Sequence, residues 1–272
     1  MTESYGIVAK VKKKQMSELL IQDKRLDGRG LLDYRNIKIE VGLIQKAAGS
    51  ALVSLGKTKV MTGVKLEMGT PFPDTPAEGV LIVNAELVPL ASPSFEPGPP
   101  SEDAIEFARV VDRGIRESKA IETSKLCIIP GKKVFMVFVD IYVLDHDGNL
   151  FDASALASIA ALLNAKIKEF KVRENGEVEF GESYVRLPVV NYPVEITAVK
   201  IDNKLIVDPS LDEEAAADAQ ITIAVDKDDN ICAMQKSRPG TLTPDEVMEA
   251  VRTAQLKAKE IREKALAGFI NE

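Results

Sequence analysis

The chain has 272 residues, of which 45% are apolar and 28% charged, with a formal net charge of −7. That marks an ordinary soluble protein with enough apolar content for a substantial core, in one large domain or two small ones. No apolar run approaches the roughly 20 residues of a membrane span, and the start, Met1 to Lys14, lacks the apolar core of a signal peptide. Cys127 and Cys232 have no CxxC spacing, which excludes a disulfide framework or a zinc site. They read as small buried hydrophobes in a reducing cytoplasm. The negative charge argues against nonspecific nucleic-acid binding by the whole surface. Its distribution leaves room for a local basic site: residues 1–60 carry 12 Lys and Arg against 6 Asp and Glu, whereas residues 201–232 carry 2 against 9.

In chain order, residues 15–24 form a short amphipathic helix before the turn Asp27-Gly28. Alternation through Ile37, Ile39 and Val41 predicts a strand. Ala51–Leu55 and Lys59–Val64 follow as a hairpin around Gly56-Lys57-Thr58. Residues 70–79 hold three prolines and a glycine and cannot be regular structure. Leu81–Leu90 is a strand, and Pro93–Pro100 is a second rigid loop. Ser101 caps a helix through about Ser118, with Glu102, Asp103 and Glu106 near its positive end. Lys133–Leu144 is an apolar alternating strand, Asp147-Gly148 a turn, and Ala153–Phe170 a mostly apolar buried helix. Strands recur at 184–190, 194–200, 204–207, 220–225 and 230–235. Thr243-Pro244-Asp245-Glu246 starts a last helix. Its stripe of Val247, Val251, Ala254, Ala258, Ile261 and Ala265, running to near Phe269, is core packing. This order predicts an α+β fold with mixed sheets and helices packed between or against them. Residues 1–24 are an N-terminal extension with its short helix, and 25–272 a single domain.

Two stretches carry chemistry. The segment Asp208–Val225 crowds Asp208, Asp212, Glu213 and Glu214 into one loop, followed by Asp218 and a strand. Such oxygens could bind Mg²⁺, although a solvated loop or an electrostatic contact to a partner is the favoured reading. Arg109, Arg113 and Arg116 lie at i, i+4 and i+7 and share one helical face. Pairing within the helix is the plain alternative: Arg109 with Glu106 or Asp112, Arg113 with Glu117, Arg116 with Asp112. His146, in the turn Asp145–Gly148, reads as a solvent-facing residue, because metal and general-base roles need partners that the spacing does not supply. Lys10–Lys14 could touch RNA or a partner, but a frayed, solvated terminus is commoner. Gly56-Lys57-Thr58 lacks the first glycine of a Walker A loop, so it is not a nucleotide site.

Several separated motifs, in order over about residues 25–265, resemble the RNase PH family of phosphorolytic exoribonucleases. They are Arg25-Leu26-Asp27-Gly28-Arg29 with Asp33-Tyr34-Arg35, and the hairpin from Gly49-Ser50-Ala51 to Gly56-Lys57-Thr58-Lys59-Val60. The helix Arg109–Arg116 follows, then Pro130-Gly131-Lys132, Asp140 and Asp147-Gly148. The resemblance implies an RNase PH-like fold, related to ribosomal protein S5 domain 2. Active members carry Gly-(Thr/Ser)-Arg after the Asp-Gly turn to grip the attacking phosphate. Asn149, Leu150 and Phe151 stand there in this chain. The family's general acid falls on Gln220, which has no proton to exchange near pH 7, and the Asp of its Glu-Asp pair falls on Glu214. The paired prolines of EPGPP and the phrase VLDHDGNLFDAS are most similar to the non-catalytic RNase PH-type subunits of the archaeal exosome.

The resemblance therefore implies a subunit without catalytic residues or metal of its own. It would pair with a catalytic RNase PH-type homologue, and three such pairs would close into a six-membered ring. S1/KH-domain cap proteins and single-stranded RNA would be its further partners. Inorganic phosphate as co-substrate, and any magnesium, would belong to the partner's site. Arg109 and Arg113 would hold the RNA backbone on its way to that site, with Arg116 on the same face structural. The rivals are an active nuclease with a displaced acid, Asp218 or Asp212, and a scaffold that never touches RNA.

Overall fold

A computed structural model describes residues 13–173 and 177–270. Helix α1 covers residues 13–20, and residues 1–12, with Lys10 and Lys12 of the basic terminus, lie outside the described part. Strands β1 (Ile37–Val41), β2 (Gly49–Leu55), β3 (Thr58–Gly69) and β4 (Val80–Leu87) precede helix α2 (Glu102–Glu117). After a 3₁₀ turn, Thr123–Leu126, come β5 (Cys127–Ile129), β6 (Lys133–Asp145) and helix α3 (Leu150–Asn164). Strands β7 (Lys166–Val172), β8 (Val178–Arg186), β9 (Val194–Ile201) and β10 (Lys204–Val207) lead to the short helix α4 (Leu211–Ala216). Strands β11 (Ala219–Val225) and β12 (Ile231–Ser237) and helix α5 (Pro244–Ile261) complete the order, with a π-helical turn at Arg262–Leu266.

The first sheet runs β1-β2-β3-β6-β4, with β5 on β6; the second runs β10-β9-β11-β12; β7 and β8 form a separate ribbon. Helix α3 lies between the two sheets, touching β2 and β3 on one side and β9 on the other. Its residues from Asp152 to Leu162 are buried all round, as expected for a helix that is apolar on every face. Strand β9 is buried on both faces, so α5, which also packs on β9 and β11, covers the opposite side. Val194, Ile196 and Ala198 join Ala250, Ala254 and Ala258 of α5 in a core that spans both sheets.

Local signals account for most boundaries. Ser101 caps α2 by accepting from the Ala104 N–H at 3.2 Å. Thr243 and Glu246 form a capping box on α5 with Pro244 in the first turn. The helix expected over Ala153–Phe170 ends at Asn164, because Lys166–Val172 takes a two-residue alternation and pairs with β8. Its partner strand lies at Val178–Arg186 rather than 184–190. Strand β4 stops at Leu87, three residues short of the expected end. Both cysteines are half-buried rather than buried. Among the described residues no helix is long and apolar enough to cross a membrane.

Candidate functional site

In the acidic segment after β10, Asp208 and Glu213 are buried rather than solvated, and among the described residues no group of side chains is placed to hold a metal ion. Arg25, completely buried, forks onto Glu213, with Nε donating to Oε1 at 2.8 Å and Nη2 to Oε2 at 2.5 Å. It also donates to the carbonyls of Val207 and Asp208, each at 2.8 Å. Asp208 is buried too and accepts from the Arg35 N–H (2.8 Å), Nε (3.0 Å) and Nη2 (2.7 Å), from Arg29 Nη1 (2.8 Å) and from Asn149 Nδ2 (2.8 Å). Those donors hold its carboxyl below the usual carboxylate range despite the burial that opposes ionisation. Glu213 further closes a capping box with Ser210 on α4. The motif Arg25–Arg29–Arg35 is thus a staple that fixes the acidic loop to the segment before β1 and, through Arg35, to the carbonyls of Asp147 and Gly148 before α3. Asp218 pairs instead with Lys13 at 2.6 Å and accepts from the Asp202 N–H, so α1 is tied down from residue 13 rather than frayed.

At the start of α3 the chain makes a left-handed turn through Gly148 (φ 87°) and Asn149 (φ 54°). Asn149 is buried, and its amide donates to Asp152 and Asp208, both at 2.8 Å. Its backbone N–H is taken by the carboxylate of Glu214 at 2.7 Å. Leu150 and Phe151 are half-buried, and Phe151 packs on Phe107 with ring centroids 5.4 Å apart. Burial raises Glu214 to about 7 and Asp152 to about 6, against the hydrogen bonds that favour their charged forms. Glu214 and Gln220 meet Phe95, His146, Phe107, Phe151, Ser237 and Arg238 around a cleft of about 360 Å³. His146 is therefore not a solvent-facing turn residue. It stacks on Phe95 at 5.4 Å and 17°, its Nδ1 accepts from the Gly148 N–H, and burial lowers its pKa.

The three arginines of α2 are exposed and have different surroundings. Arg116 forks onto Asp112, at 2.6 and 3.0 Å, and donates to the Leu81 carbonyl at 2.9 Å, a structural role. Arg113 does not pair with Glu117. It reaches β12, donating to Gln235 Oε1 at 3.2 Å, while Gln235 and Ser237 both donate to Glu106. Arg109 has no ion pair among the described residues. The face therefore presents one unpaired cation and one lightly held by a neutral amide.

Sequence reasoning missed Glu195. It lies on β9 at 2% exposure, and its Oε2 has no hydrogen-bond partner among the described residues. It presses against α2 where Gly114 leaves room; a Cβ at that position would collide with the carboxyl group. Burial, then the charge of Asp152, push its pKa well up, with Arg113 pulling the other way. The sequence signal was a carboxylate near the start of a predicted strand whose other charged residue, Lys200, stands at its far end. A raised carboxyl binds its proton more tightly in the folded state, so its contribution is intact below the unfolded value of about 4.3 and is lost as pH rises. Glu195→Gln should thus be more stable than the parent at pH 8 and nearly equal to it at pH 4, read from thermal melts at both values.

Comparisons agree with this geometry. The models of the 3′ exoribonuclease family match residues 33–168 (domain 1) and 191–256 (domain 2). The exosome complex component Rrp42 of Pyrococcus abyssi is 56% identical over 257 residues, 94% of either chain. That of Methanosarcina mazei is 52% identical over 269 residues, 99% of this chain and 98% of the relative. A chain from the Archaeoglobus fulgidus exosome with RNA bound to the active site has a TM-score of 0.87 at 50% identity, covering 95% of this chain and 99% of that one. A chain of an archaeal exosome core gives a TM-score of 0.83 at 46% identity, over 95% and 97%. The α+β arrangement of two sheets around α3 is the fold of these neighbours, and the chain belongs to the RNase PH family of 3′ exoribonucleases.

Proposed function

We propose that this chain is the non-catalytic RNase PH-type subunit of an exosome ring, working in 3′-to-5′ phosphorolytic RNA degradation by an active homologue. The observation that carries the reading is the occupied cradle at α3. Glu214 holds the Asn149 N–H, an apolar pair stands in the clamp, and a carboxamide stands where the acid belongs. Neither displaced acid helps the rival reading, because Asp218 is engaged with Lys13 and neither it nor Asp212 lines the cleft. Glu214 has a pKa suited to acid duty at pH 7, yet it is bound to that amide and faces no clamp. Phosphate, and any magnesium, would act in the partner's site, and the complex, with S1/KH-type caps, would work in the cytoplasm.

Arg109 and Arg113 supply this subunit's contacts to the RNA backbone, since their guanidinium groups are the cations of α2 not committed to a carboxylate. Such contacts position RNA without reading its sequence. Two experiments test the reading. The purified chain, given RNA and phosphate, should release no nucleoside diphosphate by itself; release without the partner would overturn it. In the reconstituted ring, Arg109→Ala with Arg113→Ala should weaken RNA binding on the order of tenfold, for all sequences. The same variant should flatten the salt dependence by about 0.7 per lost single-strand phosphate contact. Unchanged affinity and slope would favour a scaffold.

A further inference from the structure

The cleft at Glu214 and Gln220 has lost the groups that grip an anion but has not closed. At about 360 Å³ it falls at the small end of ligand pockets, which span roughly 300–1,000 Å³. Gln220, on β11, is only 5% exposed, lines the cleft, and its amide has no hydrogen-bond partner among the described residues. Its polar atoms are not sealed from solvent, so the amide is free to exchange its water for the donors and acceptors of a ligand. Beside it, Glu214 gives one oxygen to the Asn149 N–H and retains acceptor capacity.

Two aromatic pairs, Phe95 stacked on His146 and Phe107 tilted against Phe151, contribute to its lining. Asp103, Glu106 and Glu214 outnumber Arg238 around the opening, which disfavours phosphate. A cleft of mixed lining, with aromatic rings beside an acceptor carboxylate and a bifunctional amide, matches a planar, uncharged heterocycle with N–H donors on one edge. We propose that this cleft is a binding site for a nucleobase with adjacent N–H donors, guanine above all, taken as a free nucleoside or as a base of an RNA chain. Guanine offers two neighbouring donors to one carboxylate, adenine and cytosine one amino group each, whereas the single N–H of uracil is flanked by carbonyls that a carboxylate repels. The site stands whether or not Arg109 and Arg113 bind RNA.

Ionised Glu214 accepts better than neutral Glu214, so binding should strengthen as pH rises through about 7. The test is a titration of the full-length chain with guanosine, followed by NMR. Saturable shifts at the cleft are expected, with Kd on the order of 0.1 mM. Uridine should bind at least several-fold more weakly. Gln220→Leu should weaken guanosine about tenfold, and Glu214→Gln, which preserves an acceptor for the Asn149 N–H, should abolish the pH dependence. An RNA ending in guanosine separates the sources. Cleft shifts at lower concentration than with the nucleoside identify a base of an RNA chain, and shifts with the nucleoside alone identify a free small molecule. No saturable shift up to the solubility limit of guanosine, or equal binding of uridine or inorganic phosphate, overturns the proposal, and this wild-type readout does not depend on any variant folding.

Discussion

Asp208→Ala should destabilise the chain by about 3–5 kcal/mol, the range for removing one partner of a buried ion pair. For a protein of this size that lowers the melting temperature on the order of 10 °C. The loss is large because the carboxylate is completely buried and serves Arg29, Arg35 and Asn149 at once. Without it two guanidinium groups and an amide are left facing each other in a low-dielectric interior. Asp218→Ala is the control: its ion pair with Lys13 is about 40% exposed on the acid's side, and such surface pairs are worth roughly 0–1 kcal/mol. Equal shifts for the two variants in denaturant titrations would refute the staple. The depressed pKa of Asp208 adds a pH test. Its stabilising contribution is present above the unfolded value of about 3.9 and is lost as pH falls below that, so the gap between parent and Asp208→Ala should narrow in acid.

Gly148→Ala should cost about 3 kcal/mol or more, from two sources that add. The residue sits at φ +87°, which an L side chain rarely adopts, at roughly 1–2 kcal/mol. An added Cβ would also stand 2.5 Å from the Leu211 N and the Ser210 carbonyl carbon and 2.6 Å from the Pro209 oxygen, all backbone that cannot rotate away. Gly131 separates the two terms: it has φ +72° with nothing within 4 Å of the added atom, so Gly131→Ala should show the conformational term alone. Urea midpoints of both variants against the parent make the measurement. If Gly148→Ala costs no more than Gly131→Ala, the turn and the acidic loop are not in the close contact described.

Much of the fold was legible along the chain because its signals are local. The Ser101 and Thr243 caps, the Gly56-Lys57 turn and the alternation of β6 each depend on residues within one or two turns of chain, and the structure places them as the sequence predicts. The end of α3 was not legible. Apolar content runs on past Asn164, and only pairing with β8, which lies further along the chain, turns Lys166–Val172 into a strand. That residues 149–151 are Asn, Leu and Phe and residue 220 is Gln could be read directly, since residue identity alone decides which protons and donors a side chain carries.

What the carboxylates of the loop do could not be read that way. Asp208 and Glu213 looked like solvated or metal-binding oxygens, and the partners that claim them lie about 170–190 residues earlier in the chain. The arginine face divides in the same manner: sequence put Arg109, Arg113 and Arg116 on one side of α2, whereas β4 anchors Arg116 and β12 lightly holds Arg113. The sequence by itself thus determined the family and the α+β class. The tertiary structure decided which charges are buried, which are paired and where an unpartnered amide faces a cleft. Burial and pairing over such separations follow from packing, which no local pattern encodes.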